Sequence, residues 1–386
     1  MGVNGRETMN EERHACPAVV RRACSTRTDA EQAVAELAQG LNGPDLAGVV
    51  FFCSPSYDLD RLAQAMEDAF ACPVMGCTSA GEIFSPLGYL KDSLVGVGFL
   101  SPHISMTPVF IPSLADFVRE TDPAILSSST LADSDRMFAL MLVDGLSLLE
   151  ERLASTVHRH LRGIPLIGGS AGDGLYFQRT LLYHQGRFHD KAASIVLFRT
   201  SLPFRTFRIQ HLVPTDVKFV ITESDPSSRT VFEINGLPAA QEYARIVGVP
   251  VEGLCPSIFA ANPVVLQIGG QYYVRSILKA NDNGSLTFYC AIDNGLVLTL
   301  AKGLNLVDNL SRSLAETARE VPDPQLVLGC DCVLRRLELE QTGRFEQARM
   351  VLAEYPFVGF STYGEQFRAV HVNQTLTGVM LGGTDD

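Results

Sequence analysis

Two imidazoles and a guanidinium fall close together in the segment RTLLYHQGRFHDKAA, as His184, Arg187 and His189. If Gln185-Gly186 forms a two-residue loop, the spacing predicts a β-hairpin in which His184 faces Arg187 and Leu182 faces His189. The two histidines and Arg187 then share one sheet face beside Leu182, while Tyr183 and Phe188 share the other. A slip of one residue would separate the group. A neutral imidazole can ligate a metal, and one histidine can hold a haem iron axially while the opposite side stays open to a gas. An arginine beside it can pair with a propionate carboxylate.

The segment GGSAGDG, residues 168–174, precedes the hairpin. Its glycines invite a phosphate-loop reading, but no Gly-Lys-Ser/Thr follows, and the LYFQRTLLYH that comes next reads as strand rather than helix. The plainer expectation is a tight turn in which Asp173 bonds local backbone. His371, in AVHVNQTLTGV, is a third ligand candidate. His158 and His160 are read as solvated, His103 follows a proline and is expected in a turn, and His14 and His211 have no supporting context. Cys330 and Cys332 fall on one side of a strand, and Cys72 and Cys77 could complete a zinc site, but the spacing is not Cys-x-x-Cys. Buried inert thiols are the expected role, with Cys53 and Cys77 the candidates for a haem thiolate. Asp144, at a strand end, and Tyr363-Gly364-Glu365 could line a pocket. Arg335-Arg336 and Arg275 could bind an anion or make ion pairs. Neither Gly-x-Ser-x-Gly nor His-Glu-x-x-His occurs, so the chain is read as a non-enzyme.

The elements that must position these groups read as an α/β chain. A cap at Thr28-Asp29 predicts a helix ending at Asn42-Gly43-Pro44, and DLDRLAQAMEDAF predicts another. Strands are expected at AGVVFFCS, CPVMGCTSAGEIF, DSLVGVGFL and RMFALMLVDG. The last runs through the helix SLLEERLASTVHRHL into IPLIGGS, a strand–helix–strand unit that favours a parallel pair. From Ser201-Leu202-Pro203 onward a second, strand-rich region follows. It has turns at Gly269-Gly270 and Asn283-Gly284, a short helix before Gly248 and a longer one over 306–319. No internal repeat stands out. The expected organisation is a loose arm over 1–20 and two sheet-containing halves, 21–205 and 206–386, in mixed α+β layers.

Composition bounds the partners. The chain of 386 residues is 46% hydrophobic and 19% charged, with a net charge of -12. That acidity disfavours a phosphate backbone, so no nucleic acid is expected. No stretch approaches about 18 uninterrupted apolar residues, so no membrane span is expected. The polar first residues lack a signal-peptide core, and nine cysteines then suggest reduced thiols in a cytoplasmic protein.

GGSAGDGLYFQRTLLYHQGRFHDKAASIVL resembles the end of the N-terminal half of FIST domains, the sensory domains named for F-box and intracellular signal transduction proteins. Asn235-Gly236 and Pro238 with their helix, NPVVLQIGGQYYVRSI, and FSTYGEQF with HVNQTLTGV resemble the C-terminal half. The likeness spans residues 20 to 380. It implies a ligand sensor, and the chain leaves no room for a fused kinase, cyclase or receptor module. RFHDKAA makes it similar to the stand-alone bacterial members that sense nitric oxide. That resemblance implies haem b, nitric oxide binding, and control of a partner histidine kinase or a cyclic-di-GMP enzyme (a diguanylate cyclase or phosphodiesterase). Under it His189 is the expected iron ligand, His184 the second candidate and Arg187 a further haem contact, with homo-oligomerisation left open. The alternative implied is a metal-free FIST sensor for an amino acid or other small metabolite, with Arg275, Tyr273 and Asp173 holding a charged ligand.

Overall fold

A computed structural model of the chain describes residues 19–119 and 134–384. The expected arm over 1–20 lies outside them but for its last two residues, and Val20 already begins a strand.

One arrangement of strands occurs three times. The first repeat runs β1 (Val20–Ser25), α1 (Ala30–Leu41), β2 (Leu46–Cys53), α2 (Leu59–Ala69), β3 (Val74–Thr78), the hairpin β4 (Glu82–Phe84) and β5 (Gly88–Tyr89), then β6 (Leu94–Leu100). The second runs β7 (Ile104–Ile111), α3 (Leu114–Phe117), β8 (Met137–Val143), α4 (Glu150–His160), β9 (Leu166–Ser170), the hairpin β10 (Leu182–His184) and β11 (Arg187–His189), then β12 (Ala193–Thr200). The third opens with β13 (Phe204–Gln210) and is interrupted by residues 212–303. These form a separate sheet from β14 (Leu212–Asp225), β15 (Thr230–Ile234), β16 (Leu237–Pro238), β17 (Val264–Ile268), β18 (Gln271–Val274), β19 (Ile277–Ala280), β20 (Leu286–Phe288) and β21 (Val297–Gly303). Helices α5 (Ala239–Val247) and α6 (Pro256–Ala261) belong to this insertion. The third repeat then resumes with α7 (Leu306–Glu320), β22 (Leu326–Cys332), α8 (Val333–Gln341), α9 (Phe345–Ala353), β23 (Phe357–Thr362), the hairpin β24 (Glu365–Phe367) and β25 (Val370–Val372), and β26 (Thr375–Leu381).

Each repeat builds a sheet with a parallel central pair, β2–β3, β8–β9 or β22–β23. Its last strand runs antiparallel between the central pair and the edge strand: β6, β12 or β26. The hairpins are exchanged. β4–β5 joins the third sheet, β10–β11 the first, and β24–β25 the second, so each six-stranded sheet ends in another repeat's hairpin. The expectation of no repeat is therefore corrected, and the expected boundary at 205/206 falls inside β13, the edge strand of the third repeat.

The exchange passes through a cyclic set of backbone hydrogen bonds. Ala80 N–H donates to Ser361 O, Tyr363 N–H to Ser170 O and Gly172 N–H to Thr78 O. In return Ser361, Ser170 and Thr78 donate to the carbonyls of Gly81, Gly364 and Leu181. This three-way junction satisfies backbone groups that would otherwise be buried unpaired. The inner faces of the three sheets meet in one apolar cluster, with Phe52, Phe138 and Phe360 each from a different repeat. Outer faces pack under α1 and α2, under α3 and α4, and under α7 and α9. Strands buried on both faces read as unbroken apolar runs, as β8 (MFALMLV) does. Asp29 caps α1 as expected, accepting from Gln32 N–H. Among the described residues no helix is long and apolar enough to cross a membrane.

Candidate functional site

The histidine hairpin has the expected register: Leu182 opposite His189, Tyr183 opposite Phe188, His184 opposite Arg187. Gln185 and Gly186 both take positive φ, 45° and 72°, as a turn matching the strand twist requires. Tyr183 and Phe188 turn to the outer core and meet Phe51 edge-on. The other face carries His184 and His189, with Arg187 exposed beside them. Phe110, on edge strand β7 of the second sheet, covers that face. Its ring stacks on His184 at 4.1 Å and 7° and lies 5.0 Å from His189. Burial, and then the neighbouring His189, hold the His184 pKa below its ordinary value. Phe110→Ala should uncover the ring and move that pKa up. An NMR titration of the His184 ring protons checks this; an unmoved midpoint would mean that Phe110 is not the cover.

The hairpin supplies nitrogens of the type a haem iron takes, but not a slot for the macrocycle. Neither sizeable cavity described below is lined by His184, Arg187 or His189. As the side chains stand, Phe110 covers the face that a haem would meet.

The glycine-rich turn folds the loop that follows it. Asp173 accepts N–H groups from Phe177, Gln178 and Arg179, each at 2.8 Å, and the hydroxyl of Tyr363. This is the local bonding expected of Asp173. The loop leaves Leu175 and Tyr176 exposed, and Phe177 stacks on Tyr363 at 4.4 Å.

On one side of this loop lies a cleft of about 870 Å³. Its walls come from the β8–α4 loop (Leu146, Leu148), from Phe177 and Tyr363, and from the inserted sheet (Phe232, Tyr289). An ion cluster fastens the insertion at the cleft. Arg229, buried, donates to Glu150 at 2.6 Å and Glu151 at 2.8 Å, and also to the carbonyl of Tyr289. Glu151 in turn accepts the N–H of Ala291. Burial pushes Glu150 up to about 7 although Arg229 is beside it.

On the loop's other side, at the junction, lies a cavity of about 670 Å³. Gly81, Arg336, Leu337 and the exposed Tyr176 are among its walls. Two buried carboxyls stand at equivalent hairpin starts next to the junction. Glu82 accepts the hydroxyls of Ser79 (2.5 Å) and Ser93 (2.6 Å); Glu365 accepts those of Thr362 (2.5 Å) and Thr375 (2.7 Å). Burial, opposed by these hydrogen bonds, pushes Glu82 up to about 7 and Glu365 up to about 8. Leu182 occupies the same place in the remaining hairpin, next to Cys77 of the first sheet. The signal was present in sequence as Ser79-Ala-Gly-Glu82 and Thr362-Tyr-Gly-Glu365.

The other singled-out residues scatter. Asp144 is a strap, accepting the Thr180 hydroxyl and the N–H groups of Leu146 and Lys191. Arg335 is fully buried on Asp331 at 2.6 Å. His211, passed over in the sequence, bridges Arg335 and Glu338. Arg275 lies against the carbonyl of His371, and Tyr273 under the guanidinium of Arg208, so these two and Asp173 form no common site. His371 is buried against Gln366, and burial lowers its pKa to about 4. His158 is half-buried and its Nδ1 has no partner, against the solvated reading; His160 bonds the carbonyl of Thr156. Cys77 and Cys330 share the inner core while Cys72 packs in an outer cluster, so the four thiols do not gather. Burial raises Cys53, Cys77, Cys330 and Cys332 well above the ordinary thiol value. Among the described residues no group of three His, Cys, Asp or Glu side chains could hold a metal ion.

Comparison with family models matches a FIST N domain to residues 47–237 and a FIST C domain to residues 239–368. No curated protein matches. Among solved structures the chain is similar to the cyanuric acid hydrolase of A. caulinodans, at 12% identity and a TM-score of 0.27. That match covers 48% of this chain and 72% of the hydrolase.

Proposed function

The chain belongs to the FIST family of signal-transduction sensor domains, and on that premise we propose that it senses a small organic metabolite held in the cleft between its two FIST domains. The supporting observation is that both domains wall one cavity. Leu146, Phe177 and Phe232 come from the FIST N span, and Phe288, Tyr289 and Tyr363 from the FIST C span. A cavity of about 870 Å³ falls in the size range of small-molecule sites, and its walls combine apolar side chains such as Phe177, Phe232 and Phe288 with polar ones such as Lys279, Asn281 and Asp282. Asn281 and Asn283 supply amides that can orient a ligand. A ligand touching both walls has a different affinity for each placement of the inserted sheet against the repeats, which is what a signal requires.

A thermal-shift screen of amino acids and other metabolites tests this. A stabilising compound should act on the parent chain and lose its effect in Phe232→Arg, which puts a long cation into the cleft. If stabilising compounds act equally on Phe232→Arg, the ligand does not bind in the cleft.

A second reading, haem-based nitric oxide sensing with output to a histidine kinase or cyclic-di-GMP enzyme, is supported by the two imidazoles brought to one face of the hairpin. His189 would be the ligand and Arg187 a partner for a propionate, once Phe110 had moved. When bound, haem b would supply the iron that takes the gas. An absorption spectrum of haem-supplemented protein beside His189→Ala decides it. A stoichiometric Soret band lost in the variant supports the reading, and no saturable haem uptake ends it.

A further inference from the structure

We propose that the junction cavity is a second binding site, built around Arg336 for a small organic carboxylate. The proposal does not rest on the cleft. Arg336 lies in α8 and is only 6% exposed. Its Nη1 donates to the carbonyl of Ala80 at 2.7 Å, and among the described residues it forms no ion pair. Nε and Nη2 have no acceptor there either, yet they are not sealed off, and Arg336 lines the cavity. A guanidinium taken out of water without a carboxylate is costly, so a buried one with free N–H groups facing a cavity is a seat for an anion.

The surroundings are shaped to keep Arg336 in place. Gly81 has φ +127°, and a Cβ there would stand 1.3 Å from Arg336 Nη1, so only glycine lets the guanidinium approach the turn. Glu82, the carboxyl with most influence on Arg336, accepts on one oxygen from Ser79 and on the other from Ser93 rather than from the guanidinium, and burial pushes it up to about 7.

The walls select the kind of anion. Asp92 and Glu340 lie on the cavity along with Lys91 and Arg179, so a highly charged anion meets repulsion as well as attraction. Leu175, Tyr176 and Leu337 offer apolar surface, and Tyr176 is 74% exposed. A singly charged carboxylate with an apolar or aromatic body satisfies both. The side chain of Phe177, two residues past Leu175, lines the cleft, so one loop touches both cavities.

Calorimetric titration with phenylacetate, inorganic phosphate and neutral phenylethanol tests the site, with thermal melts of the free protein. Phenylacetate should bind saturably to the parent chain and at least thirty-fold more weakly to Arg336→Met, with partial rescue in Arg336→Lys. The unliganded Arg336→Met should melt no lower than the parent, because an unpaired buried charge has gone. Tyr176→Ala, at an exposed position, should retain the fold and weaken phenylacetate several-fold. The assignment is overturned if no carboxylate binds at millimolar concentration, or if phosphate binds in preference. It is also overturned if Arg336→Met melts far below the parent while its phenylacetate affinity is unchanged; Arg336 is then a strut for Ala80. Should Arg336→Met fail to fold, unchanged phenylacetate affinity in Tyr176→Ala overturns it. Binding lost in Phe232→Arg but kept in Arg336→Met would leave the sensor reading standing and remove this one.

Discussion

Glu365→Gln should keep most of its stability between pH 6 and pH 9, while the parent chain loses several kcal/mol. Glu365 is fully buried and hydrogen-bonded to Thr362 and Thr375, and burial pushes it up to about 8 from an ordinary 4.5. The folded protein therefore keeps a proton that the unfolded chain has already released. Between about pH 4.5 and 8 the unfolded state binds fewer protons, so stability falls as pH rises through that window and levels off above it. At about 1.4 kcal/mol per pKa unit, Glu365 alone accounts for up to several kcal/mol. Glu82, pushed up to about 7, acts in the same direction. His371 acts oppositely, because its lowered pKa of about 4 makes stability rise from about pH 4 to 6.5, and it adds nothing above that. Glutamine cannot ionise, so the variant loses only the contribution of the remaining acids. Urea midpoints of both proteins at pH 6 and pH 9 check this. Parallel losses would mean that Glu365 is ionised in the folded chain.

Arg229→Ala should be the most damaging single change at the cleft, at about 3–5 kcal/mol, because it leaves a buried carboxylate pair without its cation. Glu150 and Glu151 would face each other with side-chain exposures of 2% and 20%. The bond from Arg229 to Tyr289 would go as well, and with it a tie between α4 and the inserted sheet. Adding Glu150→Gln and Glu151→Gln should recover part of the loss, since the two residues are coupled to Arg229 rather than independent of it. Calorimetric melts of the variants check the magnitude. Limited proteolysis of the single variant should cut first within 212–303. A loss under 1 kcal/mol would show that the ion cluster does not hold the insertion.

How much of this was legible depended on range along the chain. The hairpin register followed from turn chemistry, since Gln185-Gly186 takes two positive φ angles and so fixes which side chains lie opposite one another. The α1 cap and the local bonding of Asp173 were legible for the same reason: both partners lie within a few residues. The repeats left only a short trace. The third is split by 212–303, and the inner core asks only for apolar residues, so what the repeats share is confined to turns such as Ser79-Ala-Gly-Glu82, Ser170-Ala-Gly-Asp173 and Thr362-Tyr-Gly-Glu365.

The amino-acid sequence by itself determined the local elements, the mixed α/β character, the family and the histidine face of the hairpin. Hydrophobic period, capping groups and turn residues act over a few positions, and the order of motifs is written in the chain. Only the tertiary structure decided where those pieces went. It sent each hairpin to another repeat's sheet, laid Phe110 over the histidines, and separated Arg275 and Tyr273 from Asp173. It also buried Arg336 beside Gly81 without an ion pair among the described residues. Neighbours hundreds of residues apart meet because three sheets must bury their inner faces together, and no local pattern records which distant side chain will complete a site.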